Sequence, residues 1–204
     1  MRESSYSMAK LKKDFYCRED VVAVARDLIG KLLITSINGK QTGGTIVETE
    51  AYSWCEKGCH AYNYRRTPRT EVMFKEGGCA YVYLCYGVHY LFNVVTNDGE
   101  VPEAVLIRAL APERGLDLMV SRASQANTDR ITSGPGKLTR ALGIDGACNG
   151  ISLLGDRVWL EDTGYTAAAG AIVARTRIGV EYAGADAKRK WRFMLAGNEW
   201  VSKK

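Results

Sequence analysis

The chain has 204 residues, 46% hydrophobic and 25% charged, with 28 Lys and Arg against 23 Asp and Glu. That composition fits a globular protein able to bury a core and argues against a disordered or collagen-like chain. The opening residues MRESSYSMAKLKKDFYCRED are charged throughout, and no window approaches about 18 consecutive apolar residues, so neither a signal peptide nor a membrane span is expected, and the expected location is the cytoplasm.

The elements follow in chain order. EDVVAVARDLIGKLL has apolar residues at helical spacing and predicts a helix from about 19 to 29. Asn38-Gly39 between β-prone runs predicts a two-residue hairpin whose second strand ends near Thr49, with Glu50 and Tyr52 at or just past that end. TPRTEVMFKEGG reads as a short helix stopped by Gly77-Gly78. CAYVYLC and VHYLFNVV read as two strands around Tyr86-Gly87, and EAVLIRAL (103–110) as a strand with Arg108 set among apolar residues. Pro112 is expected to open a helix running to about Ser124, and Pro135 another that Gly143 closes. RVWLED, AIVARTRIGV and WRFMLAG are further strand-like runs. Without a linker or repeat, one α+β domain is expected, built on antiparallel strands with a few helices.

The cysteines are Cys17, Cys55, Cys59, Cys79, Cys85 and Cys148. With no secretory signal they read as reduced thiols. Cys55, Cys59 and His60 lie close in sequence, but no CxxC pair or second Cys/His cluster completes a ligand set, so no metal is expected. SGPGKL fails as a phosphate loop because Leu138 stands where Ser or Thr is needed, and no GxGxxG follows a strand. The net charge of +5 is modest, yet YRRTPR (64–69) and KRKWR (188–192) mix cations with an aromatic ring. Such clusters suit a nucleic acid, whose phosphates take the cations and whose bases stack on the rings.

Three features carry candidate chemistry. Glu50 at a strand end is either a surface carboxylate or a general base. Arg108 inside an apolar strand needs an acidic partner or a ligand. Seven of the eleven tyrosines lie between Tyr52 and Tyr90. Strand alternation puts Tyr81, Tyr83 and Cys85 on one face and Val82, Leu84 and Tyr86 on the other, so Tyr83 and Tyr86 serve different purposes.

The ordered set IVETEAY, His60, RRTPRTEVMF, YVYLCYGVHYLFNVV, EAVLIRAL, SGPGKLTRALGI and RIGVEYAG closely resembles the alkyladenine (3-methyladenine) DNA glycosylase family, bacterial type, from about residue 20 to 200. The resemblance implies that Glu50 activates the attacking water and that Arg108 helps hold it. It implies that Tyr52, His60 and Tyr83 sandwich a flipped-out base, that Asn93 crowds the 2-amino group of guanine, and that Tyr86 enters the minor groove. SWCEKGC, between Tyr52 and His60, departs from the family's Leu-Gly-Pro-Glu-Asp pattern.

The resemblance therefore implies a single domain over residues 1–204, with residues 1–15 as a flexible segment, a curved antiparallel sheet, surrounding helices and a protruding DNA-inserting hairpin. The implied function is a monofunctional glycosylase of base-excision repair acting on duplex DNA with damaged purines, as a monomer associated with the nucleoid and without a cofactor. Arg66, Arg69 and Lys137 are expected on the DNA backbone. The alternative is a non-catalytic nucleic-acid-binding domain using the same surface.

Overall fold

The computed structural model describes residues 9–123 and 130–202. In chain order the elements are β1 (Ala9–Lys10), α1 (Lys13–Tyr16), α2 (Val21–Asp27), β2 (Leu32–Ile37), β3 (Lys40–Tyr52), β4 (Ala80–Cys85), β5 (His89–Val95), β6 (Ala104–Arg114), α3 (Leu116–Arg122), α4 (Pro135–Leu142), β7 (Val158–Asp162), β8 (Ile172–Arg175) and β9 (Arg192–Leu195). All strand pairings are antiparallel, in the order β1-β7-β2-β3-β6-β5-β4, with β9 joined to the second half of β3 and β8 to β9. The α+β expectation therefore holds. Among the described residues no helix is long and apolar enough to cross a membrane.

Local chemistry explains most element ends. The Asp20 carboxylate accepts from the Val22 and Ala23 N–H groups at 2.9 and 3.0 Å and caps α2. Pro135 occupies the first turn of α4 and Gly143 ends it with φ of 70°. Asn38 and Gly39 both have positive φ, 53° and 73°, as a type I′ turn requires. The apolar faces of α2 and α4 pack on the sheet, around Leu28, Leu33, Ile46, Phe92, Ile107 and Leu138.

Three expectations need correction. β3 does not stop near Thr49 but runs through Tyr52, because Glu50 pairs with both Leu106 and Arg192, and Tyr52 with Ala104. Pro112 opens no helix: β6 continues through it to Arg114, and α3 begins at Leu116. The register passes from Gly43↔Arg114 to Gly44↔Pro112, so Pro112 sits beside a bulge, where a strand tolerates its missing N–H. The expected end of that helix, Ser124, lies outside the described residues. AIVARTRIGV is a strand only to Arg175; its remainder leaves the sheet and brings Arg177 and Ile178 to β3. At the N-terminus, Ala9 and Lys10 pair with β7 and Leu11 is buried, while residues 1–8 lie outside the described residues.

Candidate active site

Strand alternation puts Glu48, Glu50 and Tyr52 on one face of β3. Both glutamates are fully buried. Opposite them, Glu48 pairs with Ala109 and Thr49 with Ile107, which leaves Arg108 unmatched in a β-bulge. A bulge re-aims its side chain. Arg108 Nε donates to Glu48 Oε1 at 3.0 Å and Nη1 to Glu50 Oε2 at 3.3 Å.

Glu50 accepts two further hydrogen bonds. The Tyr52 hydroxyl donates to Oε2 at 2.8 Å, and the Ile178 backbone N–H to Oε1 at 2.9 Å. Burial drives the Glu50 pKa above the usual carboxylate range, opposed by Arg108, Ile178 N–H and the Tyr52 hydroxyl, while Glu48 pushes it further up. Tyr52, Arg108 and Ile178 all line one cleft of about 350 Å³, and Glu50 lies directly behind them.

The same cleft is walled by Tyr81, Tyr83, His60, Asn93 and Arg69, with Tyr86 at its rim. His60 Nδ1 shares a 2.9 Å hydrogen bond with the Tyr81 hydroxyl. The His60 ring meets Tyr83 nearly edge-on at 4.7 Å. Burial, then Arg69, lowers the His60 pKa to about 4, so the ring is neutral near pH 7. Asn93 is buried and its amide donates to the Tyr81 carbonyl at 3.0 Å, which fixes its orientation. Tyr86 is 95% exposed, with φ of 49° beside Gly87 at 70°. The Val88 N–H closes the turn onto the Cys85 carbonyl at 3.1 Å.

One face of Tyr52 is covered by Arg177, whose guanidinium carbon lies 4.7 Å from the ring centre. Arg177 is bound to Glu56 by two bonds of 2.6 Å and donates to the Ala51 carbonyl at 2.9 Å. A Cβ on Gly58 would meet Glu56 Oε2 at 2.8 Å and Arg177 Nη2 at 3.0 Å, so this pair needs a glycine there. SWCEKGC thus supplies the anion that holds the cation behind Tyr52.

The structure brings Glu50, Arg108, Tyr52, His60, Tyr83, Asn93, Tyr86 and Arg69 to one cleft. Arg69 lies over Tyr83 at 4.7 Å. Arg66 and Lys137 do not line it. Arg66 bridges Glu71 and Glu100, so its charge is already compensated. Lys137 is exposed on the first turn of α4. Cys55, Cys59 and His60 do not converge: Cys55 lies 3.3 Å from Ser53 Oγ, Cys59 is buried with its pKa raised to about 12 by burial, and His60 faces Tyr81.

Sequence reasoning missed Glu48, Glu56, Arg177, Ile178 and Arg192. Glu48 had a signal, since a second acid two residues before Glu50 shares its strand face. Arg177 and Ile178 had none, because only folding brings that segment to β3.

The site is a cleft lined by Tyr52, His60, Tyr81 and Tyr83, with a buried carboxylate and a guanidinium behind it. A family model described as methylpurine-DNA glycosylase matches residues 14–199. A relative from Carboxydothermus hydrogenoformans is 45% identical over 95% of this chain and 99% of its own. Relatives from Chlamydia felis (43%, covering 91% and 95%) and Desulfitobacterium hafniense (42%, covering 97% and 100%) are similar, and all three are named as candidate 3-methyladenine DNA glycosylases. The chain belongs to the methylpurine-DNA glycosylase family: it is a DNA glycosylase, a DNA-repair hydrolase of N-glycosyl bonds.

Proposed function

We propose that this chain removes damaged purines of the 3-methyladenine type, hypoxanthine and 1,N6-ethenoadenine included, from duplex DNA by direct water attack. The observation that carries this reading is Glu50, buried behind the cleft and bonded to Arg108, Tyr52 and Ile178 N–H.

The lesion's glycosidic bond is hidden inside a duplex, so the nucleotide is extruded, at a cost of a few kcal/mol. Tyr86, projecting from its hairpin, fills the gap and offsets part of that cost. The base stacks between Tyr52 on one side and His60 and Tyr83 on the other, with about 1–3 kcal/mol per aromatic contact. Neutral His60 serves as a wall without repelling a cationic lesion. Asn93, fixed on the Tyr81 carbonyl, crowds the 2-amino group of a normal guanine.

Glu50 takes a proton from water held beside Arg108, and the water oxygen bonds to C1′. The C1′–N bond breaks and its electron pair leaves with the base; a cationic alkylated purine departs neutral, and a neutral lesion such as hypoxanthine departs as an anion that takes up a proton from solvent. Positive charge develops on the sugar during this exchange, and the Glu50 carboxylate stabilises it. The products are a free base and an intact abasic site. Arg69 and Lys137 contact backbone phosphates, with Arg66 a weaker contributor because of its carboxylate partners.

The test is a duplex with one hypoxanthine or ethenoadenine, incubated with the protein and then treated with alkali. Strand breakage at the lesion that appears only after alkali is expected. Breakage without alkali overturns the monofunctional reading. Tight binding with no breakage overturns the enzymatic one and leaves a non-catalytic nucleic-acid-binding domain.

A further inference from the structure

We propose that Glu48 is a positioning residue for the reaction, holding Arg108 between two carboxylates so that Glu50 remains a strong enough base to activate water. The inference rests on the role proposed for Glu50 and adds the group that tunes it.

Glu48 touches no part of the cleft. It is fully buried, and its carboxylate accepts from Arg108 Nε at 3.0 Å, Arg192 Nη1 at 3.3 Å and the Ser202 backbone N–H at 2.7 Å. Arg108 needs such a partner. Its bulge position takes it out of the regular alternation of β6, and apart from Glu48 its partners are Glu50 and a long 3.5 Å contact from Nη2 to Ser202 Oγ. With Nε on Glu48 and Nη1 on Glu50, the planar fork is fixed at two points.

The second consequence is electrostatic. Glu50 faces Glu48 and Tyr52 on its own strand, Arg108 on β6, and Ile178 N–H and Arg177 from the segment after β8. Arg192 of β9 turns to Glu48. Arg177 is occupied by Glu56. Arg108 is therefore the chief cation at Glu50, and Glu48 takes part of its field. Replacing Glu48 by Gln keeps the shape but removes that competing charge. Arg108 then acts on Glu50 alone, the ionised form of Glu50 is favoured, and Glu50 becomes a weaker base. Removing Arg192 does the reverse, since Glu48 then stands less compensated beside Glu50.

The experiment is the single-turnover rate of hypoxanthine excision against pH for the full chain, Glu48→Gln and Arg192→Gln, with melting curves to confirm folding. The wild-type rate rises with pH as Glu50 ionises. Glu48→Gln is expected to move this acid limb down by about one pH unit and to lower the plateau. Arg192→Gln is expected to move the limb up. A structural role alone changes melting and leaves the limb in place, and an unmoved limb in folded variants overturns the proposal. If Glu48→Gln does not fold, Arg192→Gln decides by itself: an upward shift supports the proposal and an unmoved limb overturns it. An inactive wild type is a different failure, since it removes the proposed function and this inference with it.

Discussion

The Tyr52 hydroxyl donates to Glu50 while its ring carries Arg177 on one face. One side chain therefore links the proposed base-stacking wall to Glu50, the proposed general base. Tyr52→Phe separates the two roles. The ring stays, but Glu50 loses a donor that favours its ionised form. The acid limb of excision is expected to move up, with the rate at pH values near that limb falling roughly tenfold, the scale of a lost hydrogen bond to a charged group. Steady-state excision across pH checks this, and an unshifted limb contradicts it. At this scale the sequence was partly legible. Alternation separates Tyr83 from Tyr86, and the structure puts Tyr83 in the cleft wall and Tyr86 into solvent at its rim. The Arg177–Glu56 pair was not legible, because its members are 121 positions apart and meet only through folding.

The element that organises the site is the β3–β6 pair. Two of its three register shifts mislead a sequence reader in different ways. One hides the strand, since Pro112 looks like a helix start. The other hides a direction, since Arg108 is turned out of regular alternation toward Glu48 and Glu50. The pair also depends on close backbone approach at Gly44. A Cβ there would lie 2.2 Å from the Ala111 carbonyl oxygen and 2.6 Å from Leu110 Cδ1. Neither the backbone nor the packed core can retreat cheaply. Gly44→Ala is expected to destabilise the fold by about 1–3 kcal/mol, the usual range for overpacking, and to lower the melting temperature by about 2–4 °C per kcal/mol. Thermal unfolding followed by circular dichroism measures it, and an unchanged melting temperature contradicts the tight β3–β6 approach.

Across the whole molecule, the hydrophobic periodicity, capping residues and hairpin turns gave the α+β class, α2, α4 and the hairpin tips from local chemistry alone. What stayed hidden was the assembly of β3 between β6 and β9. That assembly extends β3 through Tyr52, buries Glu48 and Glu50, and delivers Ile178 N–H to Glu50. Long-range pairing, not propensity, therefore sets where the proposed catalytic centre sits. The fold places four charged groups, Glu48, Glu50, Arg108 and Arg192, in one buried network behind the cleft. Ion pairs of this kind are poor sources of stability when buried, and each unpaired member is costly. Their presence at this point fits a chemical role for Glu50. The most direct measurement is single-turnover excision by Glu50→Gln beside its affinity for the same lesion duplex. The account predicts binding close to that of the wild type with excision slower by at least about a hundredfold, the scale of general-base catalysis. Excision near the wild-type rate would contradict it.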